Sequence, residues 1–203
     1  MKTLLIFLLL WLTTSLPVYA MSMYDDPRTI LSFRDKALSP ELDILRVIVT
    51  LSPASQLIFQ VKTKGERQSG AADEYLLLQI LHGKHYILLI LINAQQNLHG
   101  LVYEGTLQSE DAPPVLVGRK FGTVASSDGF AVKRIPQGVE FIVPLEWIDF
   151  SVDLGYDAYT VQARLQDGSL QITHIYDQAG KGRSGANRFS AITFLNRICS
   201  PQR

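Results

Sequence analysis

The sequence predicts an all-β protein: a two-sheet antiparallel β-sandwich, jelly-roll-like, with about ten to twelve strands. Three observations carry this expectation. Apolar residues recur at every second position in short segments, the period of a half-buried strand. Turn residues interrupt the chain at short intervals. No segment sustains a 3.6-residue apolar period over three turns, so long amphipathic helices are not expected. A closed barrel is the competing architecture.

The chain has 203 residues. Met1 to Ala20 has the layout of a secretory signal: Lys2, then apolar residues from Leu4 to Leu12, then Pro17-Val18-Tyr19-Ala20 with small residues at the cleavage positions. The apolar core is too short for a bilayer span, and cleavage is favoured over an uncleaved anchor. No Cys follows the cut, which argues against a lipid-anchored product. Residues 21–203 then form one domain, large enough to bury a core. The expected compartment is periplasmic or extracellular.

The strands follow in order. Thr29–Arg34 alternates weakly, and Asp35–Pro40 turns the chain. In Asp43–Leu51, the residues Leu45, Val47, Val49 and Leu51 share one face, with Arg46 and Thr50 on the other. Gln56–Thr63 points Leu57, Phe59 and Val61 inward, each contributing about 1.5–3 kcal/mol on burial before entropy is subtracted. Glu74–Asn93 contains two apolar runs, Tyr75–Leu81 and Tyr86–Ile92, around His82-Gly83-Lys84-His85. Both parities are apolar, so this hairpin is expected at the centre, covered on both faces. Leu98–Glu104, Val115–Val117, Phe130–Arg134 and Val139–Val143 are further strands. Pro144 stops the last, and Leu145–Phe150 is expected as a short helical turn at one end of the core. Tyr159–Leu165 and Leu170–Tyr176 flank Asp167-Gly168, a hairpin turn. Phe189–Leu195 fits a strand or a short helix with Phe189, Ile192 and Leu195 on one side; the strand is favoured.

Charge and cysteine use narrow the function. The chain carries 19 Lys+Arg and 19 Asp+Glu. Loss of Lys2 with the leader leaves one excess negative charge. No basic excess points to nucleic acid. Cys199 is the single cysteine, so no internal disulfide supports the fold, and a buried, inert thiol is the commoner outcome.

Candidate chemistry is sparse. His82 and His85 have H-x-x-H spacing but sit in a turn with no third ligand near in sequence, so a solvated turn is expected and no metal. Gly122–Gly129 is a small-residue loop without a nucleophile-elbow setting. Gly180–Arg188 is Gly-rich and basic but lacks phosphate-loop spacing. The acid pairs Asp25-Asp26, Asp73-Glu74, Glu110-Asp111 and Asp153/Asp157 read as solvated loop residues, so no catalytic residue and no cofactor is assigned. Tyr103, Trp147, Tyr156, Tyr159 and Tyr176 are possible stacking faces for a sugar ring, against a reading as core filler in which Trp147 plugs an end of the core.

The order of features carries a resemblance. Leu42-Asp43-Ile44-Leu45-Arg46-Val47 brings an early Asp into a strand. There follow Gln56–Val61, Asp73–Leu78, Tyr86–Ile90 and Val139–Pro144, and a late strand runs into Asp177-Gln178-Ala179-Gly180. Over about Ile30 to Gly180 the chain resembles exported β-sandwich modules related to DOMON domains and to family-nine carbohydrate-binding modules. The resemblance implies a sandwich that binds sugar or haem without catalysis of its own. Gln79-Ile80-Leu81 replaces the acidic pair usual after the first hairpin strand, and no proline follows Asp177. Beyond the leader, only Met21 and Met23 could offer a haem sulfur, so haem is not expected.

The expected function is an exported, non-catalytic binding module for a glycan or an envelope or secreted partner protein. Tyr156, Tyr159, Tyr176 and Asp177 are the candidate ligand-binding residues. A secreted polysaccharide hydrolase using paired loop carboxylates is one alternative. An envelope structural protein that pairs through a strand edge is another.

Overall fold

The computed structural model describes residues 26–66, 71–93, 100–107, 130–166, 168–181 and 188–199, and the backbone of 115–119. The leader Met1–Ala20, Asp25, Glu110-Asp111, Gly122–Gly129, His99 and most of Gly180–Arg188 lie outside the described residues.

Twelve strands are present among them. They are β1 (Thr29–Leu31), β2 (Ile44–Leu51), β3 (Gln56–Thr63), β4 (Glu74–Leu81), β5 (His85–Leu91) and β6 (Leu101–Glu104). Then come β7 (Val115–Arg119), β8 (Ala131–Ile135), β9 (Gly138–Pro144), β10 (Leu154–Gln166), β11 (Ser169–Gln178) and β12 (Arg188–Phe189). They form two antiparallel sheets, one of five strands ordered β1-β2-β3-β9-β8 and one of seven ordered β11-β7-β6-β5-β4-β10-β12. The expected two-sheet sandwich is the observed architecture.

The larger sheet also curls back on itself. Strand β11 pairs along β10 and meets β7 through Ser169 and Val115, so β10, β4, β5, β6, β7 and β11 close into a ring. Two cores result. One lies between the sheets and holds Val47, Phe59, Phe141, Leu78, Leu88 and Tyr156. The other lies inside the ring and holds Leu77, Ile87, Leu89, Tyr103, Tyr159 and Val161. This is why β4 and β5 are apolar at both parities: each strand separates two dry spaces.

Several elements differ from the expectations, and three of the differences have a clear local reason. First, a register shift between Ile44 and Arg46 breaks the alternation of β2, so Ile44 rather than Leu45 enters the core with Val47 and Val49. Second, β10 begins at Leu154, five residues before the expected start, because Leu154, Tyr156 and Ala158 alternate into the inter-sheet core, on the face opposite to Tyr159, Val161 and Ala163. Third, the favoured strand at Phe189–Leu195 is incorrect. Only Arg188–Phe189 is extended, and Ala191–Cys199 is a helix, α1. Its buried residues are Ala191 and Phe194, with Ile198 packed beside them, whereas Ile192 is 65 % exposed. Ser190, a favoured helix-start residue type, precedes it, and its carbonyl accepts the Phe194 N–H at 3.0 Å. Arg28 ties the helix end to the start of the chain by donating to the Arg197 carbonyl at 3.2 Å while gripping Asp26. Cys199 is exposed at the helix end, not buried. A helix of nine residues shows too few turns for its period to stand out in sequence.

The short 3-10 turn Leu145–Trp147 follows Pro144 as expected, with Leu145 and Trp147 half-buried and Ile148 buried. No helix among the described residues is long and apolar enough to cross a membrane.

Candidate functional site

The described residues enclose a cavity of about 90 Å³ where the two sheets part at the Pro136 end of β8 and β9. Arg134 is one of the side chains that line it. Inward parity with Val132 on β8 sends Arg134 toward the other sheet, where the apolar layer runs out. The guanidinium donates to three successive main-chain carbonyls at the end of β5: Leu91 at 2.6 Å, Ile92 at 3.2 Å and Asn93 at 2.8 Å. It thereby clasps the five-stranded sheet to the seven-stranded one. A guanidinium has five N–H groups. Two remain after these bonds, one on Nη1 and one on Nε, and Nε is buried without a partner. Burial lowers the Arg134 pKa from its usual value, and the charge of Glu66 opposes that shift.

The rest of the cavity has two characters. Glu41 and Glu66 lie at the rim beside Thr63, and Glu66 accepts the Gln137 N–H with Oε1. Thr63 turns its hydroxyl to the Gly65 carbonyl at 2.8 Å. The floor is apolar, made by Leu76 of β4, Val139 of β9 and Ile92 just past β5. The cavity is therefore lined by one cation, two carboxylates and a group of apolar side chains. That is the usual make-up of a small-molecule site.

The residues expected to bind ligand do not share one surface. Tyr156 and Tyr159 are three apart on one strand, so they point to opposite faces. Tyr156 is buried in the inter-sheet core against Phe59 and Phe194, and its hydroxyl donates to the Pro27 carbonyl at 2.8 Å. Tyr159 is buried inside the ring. There burial, chiefly, and Asp157 secondarily raise its phenol pKa. Tyr176 is half-buried at the margin of the first core, edge-on to His174 at 4.8 Å. Asp177 is 4 % exposed and works as a clamp: Oδ2 accepts the Ile44 N–H at 2.8 Å, and Oδ1 accepts Lys181 Nζ at 2.7 Å. Tyr103 lies in the ring core.

The acid pairs are largely committed to the fold. Asp73 accepts Gln162 Nε2 at 2.7 Å. Asp157 accepts the Ala158 and Gly180 N–H groups and Gln178 Nε2, at 2.7 to 2.9 Å. Glu74 is buried, and Asp153 is exposed.

The H-x-x-H turn departs from expectation. His82-Gly83-Lys84 does form the tip between β4 and β5, but the His82 ring is buried rather than solvated. It starts an aromatic row that crosses between the sheets: His82 to Tyr86 at 5.3 Å, Tyr86 to Trp147 at 5.5 Å, and Trp147 stacked on Phe130 at 5.8 Å. His82 Nδ1 accepts the Lys84 N–H at 3.3 Å, and Nε2 is buried without a partner. No group of three metal-ligating side chains forms among the described residues.

Burial is the main cause that lowers the His82 pKa. His85 and Lys84 lower it further, and Asp149 opposes them. The folded protein thus holds fewer protons than the unfolded chain once the pH drops below the ordinary imidazole value of 6.5. The stability this neutral ring contributes is complete above that pH and is lost as pH falls through the lowered folded value. Thermal unfolding of wild type between pH 7.5 and 5 should show a falling Tm, and the fall should be shallower for His82→Gln. Equal slopes in the two proteins would rule out this role.

No protein-family model, curated protein or solved structure matches this chain. The functional reading accordingly rests on the chemistry of the cavity. Arg134 was not among the residues singled out from the sequence. Its signal was the parity of Val132-Lys133-Arg134, which places a cation on the inward face of a strand, a costly position that needs a reason.

Proposed function

We propose that the protein is an exported, non-catalytic binding module that takes a glycan at the Arg134 cavity. The observation that carries this reading is a cavity lined together by the half-buried Arg134 guanidinium, the carboxylates of Glu41 and Glu66, and the apolar side chains of Leu76, Ile92 and Val139. Sugars present hydroxyls that both donate and accept, next to an apolar C–H face, and that pattern complements this lining. The signal-like Met1–Ala20 and the resemblance to sugar-binding sandwiches support the same reading. The tyrosines enter it as core residues rather than as a stacking face.

A glycan-array screen of the purified protein, followed by calorimetry on the hits, tests it. Retention of one glycan class is expected. Arg134→Gln should weaken binding at least tenfold, about 1.4 kcal/mol, while the circular dichroism spectrum stays that of wild type. A folded protein that retains nothing on the array would overturn the reading. Glu41 and Glu66 place two carboxylates at one rim, which favours a hydrolase as the second reading. Release of new reducing ends from the retained glycan would decide for it.

A further inference from the structure

The ring of His82, at the tip of the β4–β5 hairpin, is held in a way that only its neutral form permits. It is 8 % exposed. Nδ1 accepts the Lys84 N–H at 3.3 Å, so the proton of the neutral ring sits on Nε2, which is buried without a partner. The one place left for a second proton is Nδ1. An N–H there would point at the Lys84 N–H, donor against donor, and the ring would carry a full charge in a buried place. The charged ring therefore cannot keep the position of the neutral one.

The surroundings decide where it goes. On the hairpin itself the charged or titratable groups that act on the ring are Lys84 and His85, and both repel a cation. The segment packed against the tip contributes Asp149, which attracts one. Asp149 Oδ2 lies 3.6 Å from where a Cβ on Gly83 would stand, and Val152 lies at 3.8 Å. Ser151 donates to Asp149 Oδ1 from its N–H at 2.9 Å and from its hydroxyl at 2.6 Å, which holds that carboxyl below the usual range and keeps it an anion in mild acid. Asp149 is exposed, so an exit toward it gives the imidazolium both a counter-charge and water. The ring leaves a gap in a row that spans the sheets: Tyr86 is on β5, Trp147 is in the turn after β9, and Phe130 precedes β8.

We propose that His82 is an acid-released latch: in neutral solution its ring completes the aromatic row between the sheets, and on protonation it swings out to Asp149 and frees Tyr86 and Trp147. Burial, the largest cause that lowers the His82 pKa, sets the release below the ordinary imidazole value of 6.5. The latch is shut above that pH and opens as pH falls through the lowered folded value. A loss of global stability in acid would follow from burial alone; the donor conflict at Nδ1 adds a local release inside the folded protein. It needs no ligand at the Arg134 cavity.

Trp147 is the reporter. The sequence holds one other tryptophan, Trp11, and Trp11→Phe leaves Trp147 as the only indole. In that protein, titration from pH 7.5 to 4.5 should shift the emission to the red and raise acrylamide quenching about twofold, while the far-UV circular dichroism stays native. The midpoint should coincide with that of the His82 imidazole followed by NMR. His82→Gln and His82→Phe should both give flat profiles, and Asp149→Asn should move the midpoint to lower pH. If the His82 variants do not fold, the coincidence of the two midpoints still decides. A flat Trp147 profile, a profile that persists in either His82 variant, midpoints that differ, or loss of the dichroism at the same pH would each overturn the latch.

Discussion

Replacing Gly138 by Ala should cost about 3–5 kcal/mol and lower Tm by roughly 6–20 °C. A Cβ built on Gly138 would lie 2.1 Å from the Val61 carbonyl oxygen and 3.1 Å from its carbon. Those atoms are backbone of β3, so no side chain can swing aside. Gly138 pairs with Lys62 at the start of the β3–β9 ladder and with Ile135 in the hairpin closed by Pro136-Gln137. The methyl would force apart the central pair of the five-stranded sheet next to the floor of the Arg134 cavity. Gly168 supplies the control. It has φ +78 in the β10–β11 turn, but a Cβ there would meet nothing within 4 Å. Gly168→Ala should therefore cost only the backbone strain, about 1 kcal/mol. Chemical denaturation of both variants measures the contrast, and equal losses would show that the close approach to Val61 does not govern the effect.

Asp177→Ala should cost about 2–4 kcal/mol, or roughly 5–15 °C in Tm. Asp177 sits on β11, yet its Oδ2 accepts the N–H that opens β2 in the other sheet. Truncation leaves that buried donor without its acceptor and strands the ammonium of Lys181, whose side chain is 29 % exposed. The ammonium can rehydrate; the amide cannot. Lys181→Met should therefore cost under about 1 kcal/mol. Asp177→Asn, which keeps an acceptor oxygen, should fall between the two. Comparable losses for Lys181→Met and Asp177→Ala would place the energy in the ion pair instead of the inter-sheet hydrogen bond.

Much of the fold was legible because a strand advertises itself at every second residue. Gln56–Thr63 matches β3 residue for residue, since Leu57, Phe59 and Val61 alternate with Gln60 and Lys62 without interruption. The central hairpin was legible for a different reason: apolar residues at both parities leave no wet face. The sequence did not reveal why two dry faces were needed, which is the second core within the ring. That core depends on β11 reaching β7, a pairing that short-range alternation cannot display.

The site was less legible than the fold. Tyr156, Tyr159 and Tyr176 drew attention as aromatic rings, but strand parity sends the first two to opposite faces. Beginning the strand at Tyr159 concealed that relation. His82 looked like a turn residue because its neighbours Gly83 and Lys84 are; its ring neighbour, Tyr86, packs in turn against Trp147 from far along the chain. Arg134 carries a charge into the interior, and only the β8–β9 register reveals where that charge ends.

The ring has a further consequence for association between molecules. Rolling the larger sheet into a ring brings β7 to β11 at Ser169 and Val115, so its outer strands meet each other there instead of a neighbouring molecule. Among the described strands, the flanks outside the ring are β1, three residues long, β12, two residues long, and β8, which bears Lys133 and runs into Pro136. Brevity guards β1 and β12, and a lysine with a proline guards β8. Edge-to-edge growth from these flanks would have to start on a strand of two or three residues or beside a lysine and a proline, poor ground for a fibril.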